Sequence, residues 1–525
     1  MRESNIKTPG VYITEVNAFP SSVVPVATAV PAFFGYTPQA SYEGKTLTNV
    51  PQKITSFAEF QAIYCFPDPP PPSDPAKQYS PQYYLVKENG QPEKGNFLLI
   101  EGSYYSVVPD PNTIYYLYNS IRLFYQNGGG DAYIVSVGGY GPPSGNPMVP
   151  GAQIVNPNVK LNDLLAGLAL LKKEEEPTMY ICPEATLLSV DNNATLMQAM
   201  LLQNTEMQTA ISIFDVIGGR NPDPILFYND IETFRNNTGS IGLNYGTVYY
   251  PFVGTTIMQK SAIDYTNLFG GDLKQLESVL NPPDHPNPSV ADIIANILDA
   301  SSKLTIAQNN NALLIASNTY GTIIQYVLED ANMLPASGGM AGIITTVDNL
   351  QGVWKAPANT SMSGVARLPI HLSESQQGPL NMDAVSGKSI NAIRPFPGLG
   401  ILIWGARTLD GNSQDWKYLS VRRTMIFLEQ SVKMAAHAYV FNPNDKNTWE
   451  AVKSMISSFL TTFWKQGGLC GASAADAFSV ECGLGTTMTG EDILNGMMRV
   501  SVKVAVAHPA EFIVITFEQA MATSS

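Results

Sequence analysis

The chain has 525 residues, more than a single hydrophobic core usually serves, so we expect two to four domains. Acidic residues outnumber basic ones 44 to 30, and a net charge of −14 is repelled by phosphate backbones and anionic membranes, which argues against nucleic acid and membrane partners. Only 14% of the residues are charged, against roughly 25% in typical soluble proteins, and interface cores are poor in charge. The composition therefore favours a subunit that covers much of its surface with copies of itself.

The N-terminal segment predicts a strand without a partner close in sequence. Residues 10–16, GVYITEV, are rich in β-forming side chains, and Pro20, Pro25 and Pro31 punctuate the segment that follows them. The sequence shows neither a signal peptide nor an apolar run of about 18 residues, so we expect a protein made in the cytoplasm. We assign residues 1–36 to an arm and linker.

Residues 37–115 predict an irregular insertion on the surface. They are rich in Tyr, Pro and Asn and contain DPPPPSDP at 68–75, whose prolines forbid a regular helix or a central strand. Residues 1–370 carry 18 basic and 31 acidic side chains, a charge of −13 out of −14. The acid excess therefore lies before the C-terminal region.

Residues 116–369 show alternating helical and strand patterns, which predict one or more α/β or α+β domains. The predicted strands cover 132–139, 179–182, 211–216 and 247–252, and the predicted helices lie near 122–124, 162–176, 194–207 and 305–330.

Residues 370–525 predict a compact α+β domain with balanced charge. A strand at 400–404 precedes two amphipathic helices, and valines alternate with other residues over 499–506, as in a half-buried strand. The last run, 511–518, is apolar on both faces and therefore predicts a strand inside a sheet. The two predicted helices cover 418–439 and 449–466.

Both ends of the chain thus carry strands that need partners, a pattern expected where one subunit adds a strand to the sheet of another. The alternative is that these strands complete a sheet of their own domain. The candidate intersubunit residues are Val11, Tyr12, Ile13, Thr14, Glu15 and Val16, and Phe512, Ile513, Val514, Ile515, Thr516 and Phe517.

The histidines and cysteines, which commonly act in catalysis or metal binding, are scattered along the sequence. No metal-ligand spacing, CxxC pair or GxSxG elbow occurs, and Gly387-Lys388-Ser389 lacks the glycine that a phosphate-binding loop needs at position 382, where Met382 stands. We predict no catalytic residue, no metal and no cofactor. The scattered residues are His285, His371, His437 and His508, and Cys65, Cys182, Cys470 and Cys482, the cysteines being predicted as buried thiols.

Seven strings in the chain resemble the contractile tail sheath family, which comprises phage tail sheaths and the sheaths of related bacterial injection systems. They are TPGVYITEV, VVPVATAVPAFFGYT, NGGGDAYIVSVGG, DNLQGVWKAPAN, GKSINAIRPFPGLGILIWGARTL, WKYLSVRRTMIFLEQSV and HPAEFIVITFEQ. The resemblance is strong over 1–36 and 340–525, moderate over 115–255 and absent from 37–115.

The resemblance implies a structural subunit that stacks as hexameric rings around an inner tube and contracts to drive that tube through a target envelope. It implies that the terminal arms add strands to neighbouring subunits, that residues 370–525 form the inner domain, and that the middle of the chain faces outward. The implied partners are further copies of the chain, the inner tube protein, and baseplate and terminal cap proteins, within an assembled phage tail or injection particle.

The two C-terminal helices are the candidates for contact with the tube, because basic side chains on their outward faces could hold it through weak, releasable contacts. The alternative is that these are ordinary solvated helix faces. The candidate residues are Arg422, Arg423, Lys433, Lys446 and Lys453.

Two other functions fit parts of the sequence. A non-contractile baseplate or capsid component would also be large and poor in charge. A hydrolase using dispersed Asp and Glu residues in 116–360 would be an enzyme, but no residue has an assignable role.

Overall fold

The computed structural model describes residues 23–66, 78–92, 97–299 and 301–514. The chain forms two compact units: residues 28–423, here called the large unit, and residues 424–514 with 23–27, here called the small unit. Helices and strands are mixed throughout, so the predicted α+β, multidomain class is confirmed.

A sheet of eight strands forms the centre of the large unit. Its order is β16-β15-β11-β10-β9-β1-β8-β4; neighbours from β8 to β15 run parallel, and an antiparallel strand closes each edge. The strands of the large unit are β1 (Pro31–Tyr36), β2 (Ser41–Tyr42), β3 (Lys45–Thr46), β4 (Gln52–Ile54), β5 (Tyr83–Glu88), β6 (Phe97–Ile100), β7 (Ser103–Pro109), β8 (Ala132–Gly138), β9 (Met179–Ile181), β10 (Ile211–Asp215), β11 (Gly246–Tyr250), β12 (Val253–Thr255), β13 (Met333–Leu334), β14 (Val365–Arg367), β15 (Asn391–Phe396) and β16 (Gly400–Ile403).

Strand β1 lies in the middle of this sheet, between β8 and β9. Phe33 and Phe34 on its two faces are fully buried, as is typical of a parallel strand covered on both sides. Pro31 is tolerated because it is the first residue of the strand. The assignment of the whole of 1–36 to an arm is therefore wrong for 31–36, which belong to the core.

The described part of 37–115 is regular rather than irregular. Strand β4 pairs with β8, and β5, β7 and β6 form a separate antiparallel sheet. Helix α1 (Phe57–Tyr64) begins at Ser56, whose side chain accepts the Glu59 N–H, and it buries Phe60 and Tyr64 completely. The prediction failed because the proline run dominated it; that run, at 68–75, lies outside the described residues.

Helices cover the central sheet, and two of them meet at very short range. A Cβ added at Gly338 or Gly342 would lie 2.7 Å from the Ser120 carbonyl oxygen or 2.6 Å from that of Phe124, so only glycine allows this contact between α10 and α2. The helices of the large unit after α1 are α2 (Leu117–Gln126), α3 (Leu161–Leu170), α4 (Val190–Met207), α5 (Tyr228–Asn237), α6 (Leu273–Leu280), α7 (Pro288–Leu298), α8 (Ile306–Ala316), α9 (Asn318–Ala331), α10 (Ser337–Gln351) and α11 (Glu374–Asn381), and α12 (Leu419–Ala436) spans the boundary between the units.

Two buried carboxylates close the carboxyl edge of the central sheet, where α/β proteins with this kind of parallel sheet commonly bind ligands. Glu184 Oε1, beyond β9, accepts the backbone N–H of Leu117 at 2.8 Å and that of Tyr116 at 3.3 Å, at the start of α2. Asp215 Oδ1, at the end of β10, accepts the Ser337 N–H at 3.1 Å, at the start of α10. The chain thus supplies its own hydrogen-bond acceptors to the backbone N–H groups at these helix N-termini.

The small unit holds helices α13 (Lys446–Lys465), α14 (Ala474–Ala477) and α15 (Gly490–Leu494) and strands β17 (Phe478–Cys482) and β18 (Val500–Val504). The boundary predicted at 370 differs from the structure, because β15 and β16 in 370–423 extend the central sheet of the large unit. The prediction of buried thiols is correct for three cysteines and wrong for Cys470, which is exposed.

Candidate assembly surface

The small unit contains an antiparallel sheet of only two strands. β17 and β18 pair without a bulge from Phe478 opposite Val504 to Cys482 opposite Val500. Val480 and Cys482 are buried on the face that packs against α13, where Ile456 and Phe463 are also buried. Because two strands alone are marginally stable in water, this sheet depends on the helix and has room for further strands.

The hydrogen bonds beside β18 show which backbone groups face its open edge. The Ala505 N–H donates to the Ala477 carbonyl at 2.8 Å, and the Ala505 carbonyl accepts the Cys470 N–H at 2.7 Å, so the backbone of residue 505 points towards β17. Backbone direction alternates along a strand, so the N–H and C=O groups of even-numbered residues point the other way. Among the described residues no strand pairs with β18 on that side. The open edge therefore presents the backbone groups of Val500, Val502 and Val504.

The predicted C-terminal strand begins at the end of the described chain. Phe512, Ile513 and Val514 have no assigned secondary structure, and between 66% and 89% of each side chain is exposed. Single exposed apolar residues are common, but three in succession form an exposed apolar segment, which is the kind of surface that marks interaction sites. Residues 515–517 and the N-terminal strand residues 11–16 lie outside the described residues, so their pairing stays a prediction.

The structure corrects two of the five candidate tube-facing residues. Arg423 is buried and forms a two-pronged ion pair with Asp348, Nη1 to Oδ1 at 2.9 Å and Nη2 to Oδ2 at 2.5 Å, and its Nη2 also donates to the Thr28 carbonyl at 2.9 Å. Arg422 is buried with its guanidinium carbon 4.7 Å from the ring centre of Tyr245 and 4.4 Å from that of Trp416. Helical spacing alone placed both on a solvated face, because the sequence does not show which helix face another element covers.

The other three candidates keep a position at the surface. Lys433 on α12 and Lys446 at the start of α13 are exposed, and Lys453 on α13 is half-buried. Their contact with a tube stays a prediction.

Chemical sites are not assembled elsewhere in the described chain. The described residues contain no cluster of three or more His, Cys, Asp or Glu side chains suited to a metal ion, and none of their helices has the length and apolar character to cross a membrane. Lys388, in the Gly-Lys-Ser string, is buried and its Nζ donates to the Arg235 carbonyl oxygen, while Arg235 Nε donates to the Lys388 carbonyl at 3.1 Å. This lysine therefore joins two segments of the large unit.

A cavity of about 550 Å³ opens near the carboxyl ends of β10 and β11. Arg220, one of the two arginines that line it, donates to Asp330 Oδ2 at 2.6 Å, to the Tyr116 hydroxyl at 3.1 Å and to the Met333 carbonyl at 3.0 Å. These bonds tie α9 and β13 to the start of α2, so the arginine has a structural role.

Comparison with known proteins shows a similarity to tail sheath proteins. Residues 412–520 match the family of the phage tail sheath C-terminal domain. The tail sheath protein of Vibrio phage KVP40 is 27% identical over 231 residues, which are 40% of this chain and 32% of that protein, so the chain matches about a third of its relative's length.

Solved structures extend the similarity to nearly the whole chain. The sheath complex of PVC, an extracellular contractile injection system, in its contracted state has a TM-score of 0.58 and 23% identity, with 98% of each chain covered. The contracted helical sheath of the anti-feeding prophage has a TM-score of 0.57 and 24% identity, covering 98% of this chain and 99% of its own. The fold is that of contractile sheath proteins. The resemblance to the contractile tail sheath family is confirmed, and the matched family is one of structural sheath proteins.

Proposed function

We propose that this protein is the subunit of a contractile sheath that polymerises as stacked hexameric rings around an inner tube and contracts to drive the tube through a target envelope. The observation that carries the proposal is the open edge of β18 in the domain that matches the sheath family. Its partners are other copies of itself, the inner tube protein, and baseplate and cap proteins. The particle is a phage tail or an injection device assembled in the producing cell.

In this proposal, arms of neighbouring subunits complete the two-stranded sheet. The apolar segment that starts at Phe512 and the N-terminal segment 11–16 supply the added strands, and the backbone groups of Val500, Val502 and Val504 receive one of them. Each net hydrogen bond contributes roughly 0.5–1.5 kcal/mol, so a short strand gives a firm but replaceable link. The Pro-rich stretch from Pro20 to Pro25 suits a tether that lets rigid units move while subunits stay joined.

Contraction needs no cofactor in this scheme. The energy is stored in contacts between subunits that have two arrangements, and the arms keep the lattice continuous while one arrangement replaces the other. The chemistry is therefore the making and breaking of interfaces.

The variant Val502→Pro tests whether the open edge of β18 receives a strand from a neighbouring subunit. Proline is tolerated on an edge strand, and its missing N–H would have pointed at the added strand rather than at β17. We expect this variant to melt close to wild type and to form no hollow tubes in negative-stain microscopy. Val502→Thr, which keeps the N–H and a β-branched side chain, should form tubes.

Two further variants complete the test. Ser501→Pro removes an N–H that faces β17, so it should lower the melting temperature and shows how a broken hairpin behaves. Deleting residues 1–17 should leave a folded subunit that cannot polymerise. Normal tubes from V502P would overturn the role of the edge, and a wild-type protein that forms no tubes under any condition would overturn the sheath proposal itself.

A further inference from the structure

The turn between β15 and β16 projects an apolar tip from one end of the central sheet. Residues 397–400 are exposed, and Leu399 at the tip is 68% exposed. The Leu399 N–H donates to the Phe396 carbonyl at 3.1 Å, and Gly398 and Gly400 take the positive φ angles that the turn requires. The tip is thus a fixed turn that holds a leucine in solvent.

Behind the tip, a cation and two aromatic rings form a cluster. The rings of Phe396 and Trp404 lie 4.5 Å apart, and the guanidinium carbon of Arg394 is 4.8 Å from the Phe396 ring centre. Gln377 on α11 accepts from Arg394 Nη1 at 2.9 Å and donates to the Trp404 carbonyl at 2.7 Å. Tryptophan and arginine dominate the binding energy of protein interfaces, and side chains fixed in advance lose less entropy on binding.

The edge of β16 is also only partly covered. Ile403 uses both its backbone groups away from β15: its N–H donates to Thr360 at 2.9 Å, and its carbonyl accepts the Asn359 N–H at 2.8 Å. By alternation, the backbone groups of Ile401 face the same side, where no strand of the described chain pairs with them. The tip, the aromatic cluster and this edge lie together on one hairpin.

The charge of this segment differs from that of the rest of the chain. Residues 384–409 contain Lys388, Arg394 and Arg407 but no Asp or Glu, whereas the chain as a whole carries −14. Lys388 and Arg407 are buried, so Arg394 is the cation nearest the surface. A segment with a cation near its surface and no acidic residue is complementary in sign to the net negative charge of another copy of the same chain.

We propose that Arg394, Phe396, Leu399 and Trp404, here called the hairpin patch, form a second self-association surface that docks on an acidic face of another copy. The proposal rests on the self-assembly proposed above, but it does not involve the arms. It predicts a contact that weakens with salt and that persists when strand addition is blocked.

The test uses the full chain in the V502P background, where strand addition is blocked and self-association can be measured by sedimentation velocity at low and high salt. Leu399→Asp places a negative charge at the exposed tip and should weaken self-association at least tenfold. Ile315→Asp on α8, at a side chain that is 88% exposed, adds the same charge elsewhere and should have no such effect. Equal association of both variants, or no association of V502P itself at any concentration, would overturn the hairpin patch.

A photoreactive phenylalanine derivative at position 399 identifies the occupant in the wild-type background. A cross-linked product with twice the mass of the chain, whose attachment peptide comes from an acidic segment, supports the proposal. Cross-linking only to the inner tube protein would assign the patch to another partner and overturn it. Because the sedimentation test does not need tubes, failure of the sheath proposal and failure of the hairpin patch give different results.

Discussion

The β-sheets of the large and small units differ in size and in how far their edges are paired. In the large unit, eight strands form a sheet whose inner strands are buried on both faces, and antiparallel strands close its two edges. In the small unit, two strands pair on one helix, and β18 leaves an edge with no strand on it among the described residues. The first arrangement pairs all of its inner strands and leaves only part of its β16 edge open, whereas the second consists of two strands alone.

In the sheath proposed above, this difference assigns stiffness to the large unit and assembly to the small unit. A sheath that changes its lattice requires subunits that do not deform and links that do not break. The large unit has the packed core that resists deformation. The small unit has the incomplete sheet through which we propose that subunits are linked.

The largest expected effect comes from cutting into the large unit. Replacing residues 41–110 with a short Gly/Ser bridge removes β4 and α1, and with them the fully buried Phe60 and Tyr64. Losing one buried aromatic side chain costs about 3–5 kcal/mol, and a whole protein is stable by only about 5–15 kcal/mol. We therefore expect no folded protein, measured as soluble yield and a cooperative melting transition.

A matched control removes the same kind of surface loop without the core. Replacing the exposed turn at Glu43 and Gly44 between β2 and β3 with Asn-Gly, which keeps glycine at the position of largest positive φ, should leave the melting transition unchanged. If the large excision also folds and forms tubes, the region 41–110 is a surface insertion on which the core of the large unit does not depend.

A smaller loss is expected when the buried ion pair of the large unit is broken. Asp348→Ala leaves the Arg423 guanidinium buried without its carboxylate, which costs about 3–5 kcal/mol. Chemical denaturation should show this loss in the unfolding midpoint. The double variant Asp348→Leu, Arg423→Met removes both charges and should recover much of the stability; a single variant that loses less than about 1 kcal/mol would show that the pair is not coupled.

The sequence predicted the alternating elements of the large unit because apolar periodicity follows directly from burial. The strands at 132–139, 179–182 and 211–216 correspond to β8, β9 and β10. It failed for β1, whose proline at the first position was taken as a break, and for α1, which lies close to the proline run. These errors share one cause, since proline restricts its own position and not the elements beside it.

The candidate surface was only partly predictable. The valine alternation over 499–506 predicted β18, and the apolar run after Pro509 predicted a segment in need of a partner. Which arginines of α12 are covered could not be predicted, because burial of Arg422 and Arg423 depends on side chains as distant in sequence as Tyr245 and Asp348. Long-range contacts of this kind leave no local periodicity.

A pH-dependent effect tests whether the closed edge of the large unit depends on a neutral carboxyl group. Burial raises the pKa of Glu184 to about 8, although backbone N–H groups at the start of α2 favour the charged form. The unfolded chain ionises this group near its ordinary pKa, about 4.3, so its contribution to stability is greatest below that pH and falls as the pH rises to about 8. Thermal melts of wild type should therefore decline over this range.

Glu184→Gln has the shape of the neutral carboxyl group, so its melting temperature should decline less between pH 5 and 8.5. Glu206→Gln, which removes an exposed carboxylate paired with Lys172, is the control and should follow the wild-type profile. A Glu184→Gln profile with the full wild-type slope would show that this group ionises normally in the folded chain.

The smallest expected effect concerns Lys433, Lys446 and Lys453, the three candidate tube-facing lysines that lie at the surface of the small unit. A charge reversal at Lys446 distinguishes most clearly between contact with the tube and an ordinary solvated helix face. Lys446 is the first residue of α13, where the helix dipole favours a negative charge, so Lys446→Glu should raise stability by about 0.3–1 kcal/mol.

If these lysines hold the tube as predicted, the same variant should reduce copurification with the tube protein, as should Lys433→Glu with Lys453→Glu. A rise in stability with unchanged copurification at low salt would mean that these are solvated helix faces. A rise in stability with weaker copurification would mean that Lys446 contributes to tube binding although its positive charge destabilises the start of α13.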